Sequence, residues 1–405
     1  MKRWQKKLLF WTLFCLFCLV GPLAILYSQG YRFDLQTRQI KKTGGLFIKA
    51  VPKGVEIFLN GKFYKKTDNI FGSTLIQNLF PKKYELEIKK EGYFAWKKNI
   101  EIKPKEVTEI KNLILFPKNL SFNNLESGVL NFWNCPQEKN LIIQQQNPNG
   151  WEIKLLDPEK NLKIHLLQEK DFSKGTSTIS NLFCKEDKKL ILQLQVQNKS
   201  EMFLVDYSHS PIEIKNYQNN DQFLATFLNK NNIFYLTKEG YLLKNGQTLN
   251  AKALPLNDYK SFSLEILDDF VFVIAKKEND LNDLFFLTQD NIFEKIFENF
   301  KNIQISPDKE KLAISTPFEI WVLFFKKSPI EKRFLLRIGE EIQSLYWLNN
   351  DYLIFNTQNS LKVTEIDNKD RVNIEEWALE NEKMVFSGKK IYILNNKLLS
   401  FSSSF

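Results

Sequence analysis

From Leu120 onward the chain repeats itself loosely about every 40 residues, a period that marks stacked four-stranded units which cannot bury their apolar faces alone. Leu130-Asn-Phe-Trp-Asn-Cys135-Pro-Gln-Glu-Lys-Asn-Leu-Ile-Ile parallels Ile179-Ser-Asn-Leu-Phe-Cys184-Lys-Glu-Asp-Lys-Lys-Leu-Ile-Leu. Clear copies follow at Ile303-Gln-Ile-Ser-Pro-Asp308 and Gln343-Ser-Leu-Tyr-Trp347, and weaker ones begin near Phe223, Phe262 and Lys383. Each unit alternates short apolar strands with turns rich in Pro, Asp, Asn and Lys. The expectation is an all-β chain in which about seven units between Leu120 and Phe405 form a β-propeller. The last unit is short, so an early strand around Leu120 to Leu125 should complete it and remove an exposed sheet edge.

The best single unit runs Ser306-Pro307-Asp308 through Leu312-Ala313-Ile314-Ser315 to Glu319-Ile320-Trp321-Val322. It resembles the WD40-like or TolB-type propeller repeat, whose usual form is S-P-D-G-K-x-L-A-F followed by an I-W-V strand. The glycine of that turn is replaced here. Cys135 and Cys184 fall at matching places in neighbouring units, which are ordinarily too far apart for a disulfide, so two free, buried thiols are expected.

Leu8 to Tyr27 contains no charged side chain, and Lys2, Arg3, Lys6 and Lys7 crowd the segment before it. Roughly 20 apolar residues span a bilayer core about 30 Å thick. The basic flank places residues 1–7 in the cytoplasm and the bulk of the chain outside. A cleavable signal peptide would be shorter and end in small residues, and a core helix would carry a polar face, so a permanent single-pass anchor over residues 8–27 is the expectation. Cys15 and Cys18 lie within this span and read as ordinary apolar residues.

After a linker over residues 28–44, residues 45–117 read as short alternating strands. Asn60-Gly61 is a tight-turn dipeptide and signals a hairpin. Pro52-Lys53-Gly54-Val55, the Asn60-Gly61 turn, Leu75 to Leu79, Pro81-Lys82-Lys83-Tyr84 and Gly92-Tyr93 together resemble the PEGA domain family. The sequence departs from the family in having Lys82 where P-G-x-Y has Gly, and Thr67-Asp68 where a T-P pair is usual. The resemblance implies a small extracytoplasmic β-sandwich, common in envelope proteins and without catalytic residues of its own.

The net charge of +10 is not spread evenly. Residues 31–117 carry 18 Lys/Arg against 9 Asp/Glu, whereas residues 118–405 carry 35 against 38. A basic excess confined to the membrane end suits an anionic cell-wall polymer or lipid headgroups and tells against nucleic acid. With only His165 and His209 and no G-x-S-x-G, P-loop or H-E-x-x-H pattern, the sequence offers no catalytic residue, metal site or cofactor. The acidic stretches Asp280–Asp283 and Asp367–Asp370 lack calcium-loop spacing. Trp133, Trp151, Trp321, Trp347 and Trp377 are expected mostly to fill the space between sheets. The reading is therefore a non-enzymatic, membrane-anchored binding or scaffold protein with an unidentified protein partner at the propeller. The alternative is a glycan- or peptide-processing enzyme, or a subunit of one, with its site in the propeller channel.

Overall fold

The structure is a computed structural model of the 405-residue chain. It describes residues 3–35, 37–135, 139–172, 176–185, 188–196, 199–217, 223–229 and 232–402, apart from the side chains of Arg3, Lys6, Leu228 and Asn229. The chain divides into two compact units, Met1–Asn119 with Asn368–Glu375, and Leu120–Asp367 with Glu376–Phe405.

The first unit begins with a helix, Arg3–Ser28. Its stretch Lys7–Ser28 is long and apolar enough to cross a membrane, and none of it is buried in protein. Trp4 and Tyr27 stand exposed near its two ends, about 35 Å apart at 1.5 Å per residue. Of the basic flank, Lys2 and the side chains of Arg3 and Lys6 lie outside the described residues, while Lys7 opens the apolar stretch. Residues expected to form a linker instead contain a hairpin, Tyr31–Asp34 paired with Gln39–Lys42. Its turn uses Arg38 at a left-handed φ of 52°, a position normally signalled by Gly or Asn.

Seven further strands form two facing sheets. Ser73–Leu79, Gly44–Val51 and Val107–Ile114 make one, and Lys62–Lys66, Glu56–Leu59, Lys83–Lys89 and Trp96–Glu101 the other. Alternation puts Leu46, Ile48, Ile57, Leu86, Ile88 and Ile102 into one fully buried core between them. Asn60 and Gly61 both take positive φ, 51° and 75°, and close the anticipated hairpin.

The second unit contains, among the described residues, seven four-stranded antiparallel sheets. Six are formed in chain order and start with Val129–Asn134, Ser177–Lys185, Phe223–Asn229, Tyr259–Leu267, Asn302–Ile305 and Ser344–Trp347. The seventh joins Lys383–Ser387, Lys390–Asn395 and Leu398–Ser402 to the early strand Asn123–Ser127, which pairs with Leu398–Ser402. Apolar cores sit between sheets rather than within them. One joins the first and second sheets, others the third and fourth, the fourth and fifth, and the fifth and sixth. A further core closes the series: Val129, Phe132 and Leu141 of the first sheet pack on Tyr392, Leu394 and Leu399 of the seventh.

Cys135 and Cys184 form a disulfide, with Cα atoms 5.5 Å apart, contrary to the expected free thiols. Pairing register gives the reason. Asn134 faces Leu141 and Cys184 faces Leu190 at the same step of their hairpins, so Cys184 is equivalent to Asn134 and Cys135 lies one residue further on. A one-residue offset turns a side chain to the opposite face of its sheet. The two thiols consequently point at each other across the space between the first and second sheets.

Candidate functional site

The residues singled out in the PEGA-like motif build turns and core. Gly54 and Gly92 occupy left-handed φ, 71° and 79°. Tyr84 is buried and its hydroxyl donates at 3.1 Å to the carbonyl of Phe80, the residue before Pro81, while Pro52 follows directly on the strand Gly44–Val51. Tyr93 packs partly buried against the same core. Thr67, in place of the usual T-P threonine, is buried and accepts from the Val55 amide at 3.0 Å. Asp68 beside it accepts from the amides of Ile70 (2.8 Å), Phe71 and Ser73 (2.9 Å). These donors, the Phe71 amide foremost, lower its pKa to about 2.

The Ser306-Pro307-Asp308 motif is also a turn. Ser306 Oγ donates to Asp308 Oδ1 at 2.5 Å and accepts from the Lys311 amide at 2.9 Å, and Lys309 supplies the left-handed φ, 56°, usually given by glycine. Asp308 also ion-pairs with Lys311. Trp321 packs edge-on between Phe297 and Phe334 and donates to Glu319. Trp321 is partly buried, whereas Trp151, Trp347 and Trp377 are buried; Trp151 and Trp347 donate across to the neighbouring sheets at Ser177 and Gln304. The acidic stretches are satisfied by protein groups. Asp280 pairs with Lys260 and Lys276, and Asp370 accepts from the Asn99 amide at 2.9 Å. Asp283, fully buried, accepts from Tyr259 (2.7 Å), Lys277 (2.8 Å), Lys295 (3.3 Å) and the Asn299 amide (3.0 Å). Burial alone would raise its pKa, but the donors, led by Lys277, outweigh that and lower it.

The residues that do converge lie elsewhere. A cavity of about 640 Å³ is lined from the leading strands of five sheets: the first, second, fifth, sixth and seventh. Trp133, Phe183, Gln304, Tyr346 and Val385 reach it from equivalent positions, each paired one step inside the hairpin pair that contains Leu141, Leu190, Leu312, Leu353 or Ile391. The equivalent residues of the third and fourth sheets are Phe227 and Glu265, neither of which lines the cavity. Two residues before Val385 stands Lys383, the only charged group lining the cavity among the described residues. Its Nζ donates to Asn131 Oδ1 at 2.7 Å and lies 5.1 Å from the Trp133 ring. Desolvation lowers its pKa to about 8. Tyr346 donates to the Met384 carbonyl at 3.3 Å, and burial raises its pKa.

In the sequence Trp133 stands only among the space-filling tryptophans, and Lys383 only marks the start of a weak repeat copy. The signal was there in the register: Lys383 aligns with Asn131, Asn181, Asn302 and Ser344, all uncharged.

Residues 43–114 match the PEGA domain family. The matched stretch covers the two facing sheets and includes every turn described above between Pro52 and Tyr93. No curated protein matches the sequence. Among solved structures, the extracellular domain of a protein assigned to the hybrid two-component systems of B. thetaiotaomicron is 14% identical. It covers 70% of this chain and 40% of its own, with a TM-score of 0.46; this chain therefore spans less than half of that structure's length. Virginiamycin B lyase from Staphylococcus aureus is 12% identical, covering 70% and 98%, with a TM-score of 0.44. BamB from Moraxella catarrhalis is 10% identical, covering 67% and 81%, with a TM-score of 0.38.

Proposed function

We propose that this chain is a single-pass cell-envelope protein that holds a seven-bladed β-propeller outside the membrane as a binding platform, with the PEGA domain on the membrane side in sequence. The observation that carries the reading is the closing core between the first and seventh sheets, together with a cavity shared by the second and fifth. Sheets that far apart in sequence can line one cavity when the series curves back on itself, which is the geometry of a propeller. Such a ring offers a rigid face bordered by loops, suited to holding a protein or polymer partner.

Placement outside the cytoplasm draws on three features. The N-terminal helix is apolar for the length of a bilayer, its flank is basic, and aromatic side chains stand near both of its ends. The Cys135–Cys184 disulfide belongs to an oxidising compartment. The lysine-rich PEGA domain suits contact with an anionic wall polymer or lipid headgroups. An enzymatic role in the channel would favour convergent carboxylates; the cavity presents an ammonium, two amides, a phenol and a serine hydroxyl, and no carboxylate among the described residues.

The test is affinity capture with full-length protein in detergent against isolated wall polymers and envelope extract, beside a variant lacking residues 43–114. Loss of polymer capture with retained protein capture supports the assignment of the two modules. A protein that captures neither, with turnover of a glycan or peptide substrate, overturns it in favour of an enzyme.

A further inference from the structure

The cavity lined from five sheets holds an ammonium that has no acidic partner. No carboxylate oxygen lies within 4.0 Å of Lys383 Nζ among the described residues; its hydrogen-bond partner is the neutral Asn131 amide. Most other lysines of the second unit near a sheet core are paired. Lys154 has Glu152, Lys277 and Lys295 share Asp283, and Lys362 has Glu376. A half-buried ammonium facing an amide and the Phe132 and Trp133 rings pays a desolvation cost that these neutral surroundings only partly offset. The one acidic residue at the equivalent strand positions, Glu265, belongs to the fourth sheet and does not reach the cavity.

The remaining lining defines what could complete the site. Phe183 exposes about half of its surface, 49%, and Trp133 lies beside it on the neighbouring sheet. Both rings belong to strands linked by the Cys135–Cys184 disulfide, which fixes their spacing. Gln304 contributes an amide and Tyr346 a hydroxyl that still has accepting capacity. The volume falls in the range of small-molecule pockets, about 300–1,000 Å³.

We propose that this cavity binds a small monocarboxylate carried on a ring, its carboxylate on Lys383, its ring face against Trp133 and Phe183, and its other polar groups on Gln304 and Tyr346. A single ammonium matches one negative charge, and the aromatic walls match a flat or ring-shaped body. The shared chemistry has two sources, a sugar acid or an aromatic acid. The proposal rests on the curved arrangement of sheets in the platform reading, and is independent of the membrane anchor and of any protein partner.

Ligand-observed NMR titration of the full-length protein in detergent tests it, with glucuronate, benzoate and inorganic phosphate as probes and glucose and benzyl alcohol as neutral counterparts. Saturable binding of glucuronate or benzoate is expected, weakened roughly tenfold to a hundredfold by Lys383→Met and absent for the neutral counterparts. Whichever acid binds more tightly identifies the source. Lys383→Arg, which keeps the charge, should retain part of the affinity, while Trp133→Leu should weaken both acids without abolishing the charge preference. Binding of phosphate as tight as that of either acid, binding untouched by Lys383→Met, or no binding of either acid overturns the proposal. If the acids fail to bind while envelope partners are still captured, the site falls and the platform stands.

Discussion

Replacing Lys383 by methionine should make the protein more stable. The side chain keeps its length, so no large void opens, and Asn131 Oδ1 still accepts from the Phe132 amide at 2.9 Å. What disappears is a charge held in a poorly solvated cavity, together with its hydrogen bond to Asn131 and its contacts with the Phe132 and Trp133 rings, which offset part of the desolvation cost. Desolvation lowers the Lys383 pKa from 10.5 to about 8, which at 1.36 kcal/mol per unit corresponds to about 3 kcal/mol. Partial exposure reduces this to about 1–2 kcal/mol. At pH 7 the folded state holds the proton at its full cost. Between pH 8 and 10.5 the unfolded chain binds more protons than the folded one, so wild-type stability should rise with pH across that window relative to the variant. Thermal unfolding at pH 7 should show the variant melting roughly 2–6 °C higher, with the gap closing toward pH 10.5. A variant equal to or less stable than wild type at pH 7, with a gap that does not change with pH, refutes the claim that the charge of this lysine is only partly compensated.

Three other substitutions probe the framework. Asp283→Asn leaves Lys277, Lys295 and Tyr259 facing a neutral amide in a buried position, and should cost about 3–5 kcal/mol in urea unfolding; a loss below 1 kcal/mol would show that the cluster is not a buried ionic centre. Cys135→Ser with Cys184→Ser opens a bridge across 49 residues and should lower stability by about 2–4 kcal/mol, read as a lower melting temperature that added reductant no longer changes. For Asp68, the folded pKa of about 2 lies below the ordinary aspartate value of 3.8. Its contribution to holding the 68–73 loop is therefore present above about pH 4 and lost as the pH falls through 2. Hydrogen exchange at Ile70, Phe71 and Ser73 should accelerate over that range and in Asp68→Ala at neutral pH; unchanged protection in the variant contradicts the role.

Much of the architecture was legible in the sequence because local chemistry and global packing agree there. Short strands, turns such as Asn60-Gly61 and Ser306-Pro307-Asp308, and the repeat from Leu120 all point to stacked antiparallel sheets. The need for an early strand to complete the last sheet followed from the shortness of that sheet, although the strand falls at Asn123–Ser127 rather than around Leu120 to Leu125. Other features were hidden for physical reasons. Arg38 and Lys309 adopt left-handed φ without being glycine or asparagine, so the turn at Arg38 left no mark and that at Lys309 looked disturbed. The cysteines look repeat-equivalent in a text alignment, yet loop lengths differ and the pairing is offset by one residue, which reverses the conclusion about their bonding. Lys383 reads as one of many lysines until register places it beside Trp133.

The account places the second unit outside the cytoplasm, held by an uncleaved N-terminal helix. Thiol trapping of the protein in freshly isolated membranes tests this directly, by comparing maleimide-polymer gel shifts before and after reduction and reading the N-terminal peptide by mass spectrometry. The expected result is a membrane-bound chain that retains residues 1–28, with Cys135 and Cys184 labelled only after reduction. A chain whose Cys135 and Cys184 are both labelled without reduction, and which remains in the soluble fraction, contradicts it.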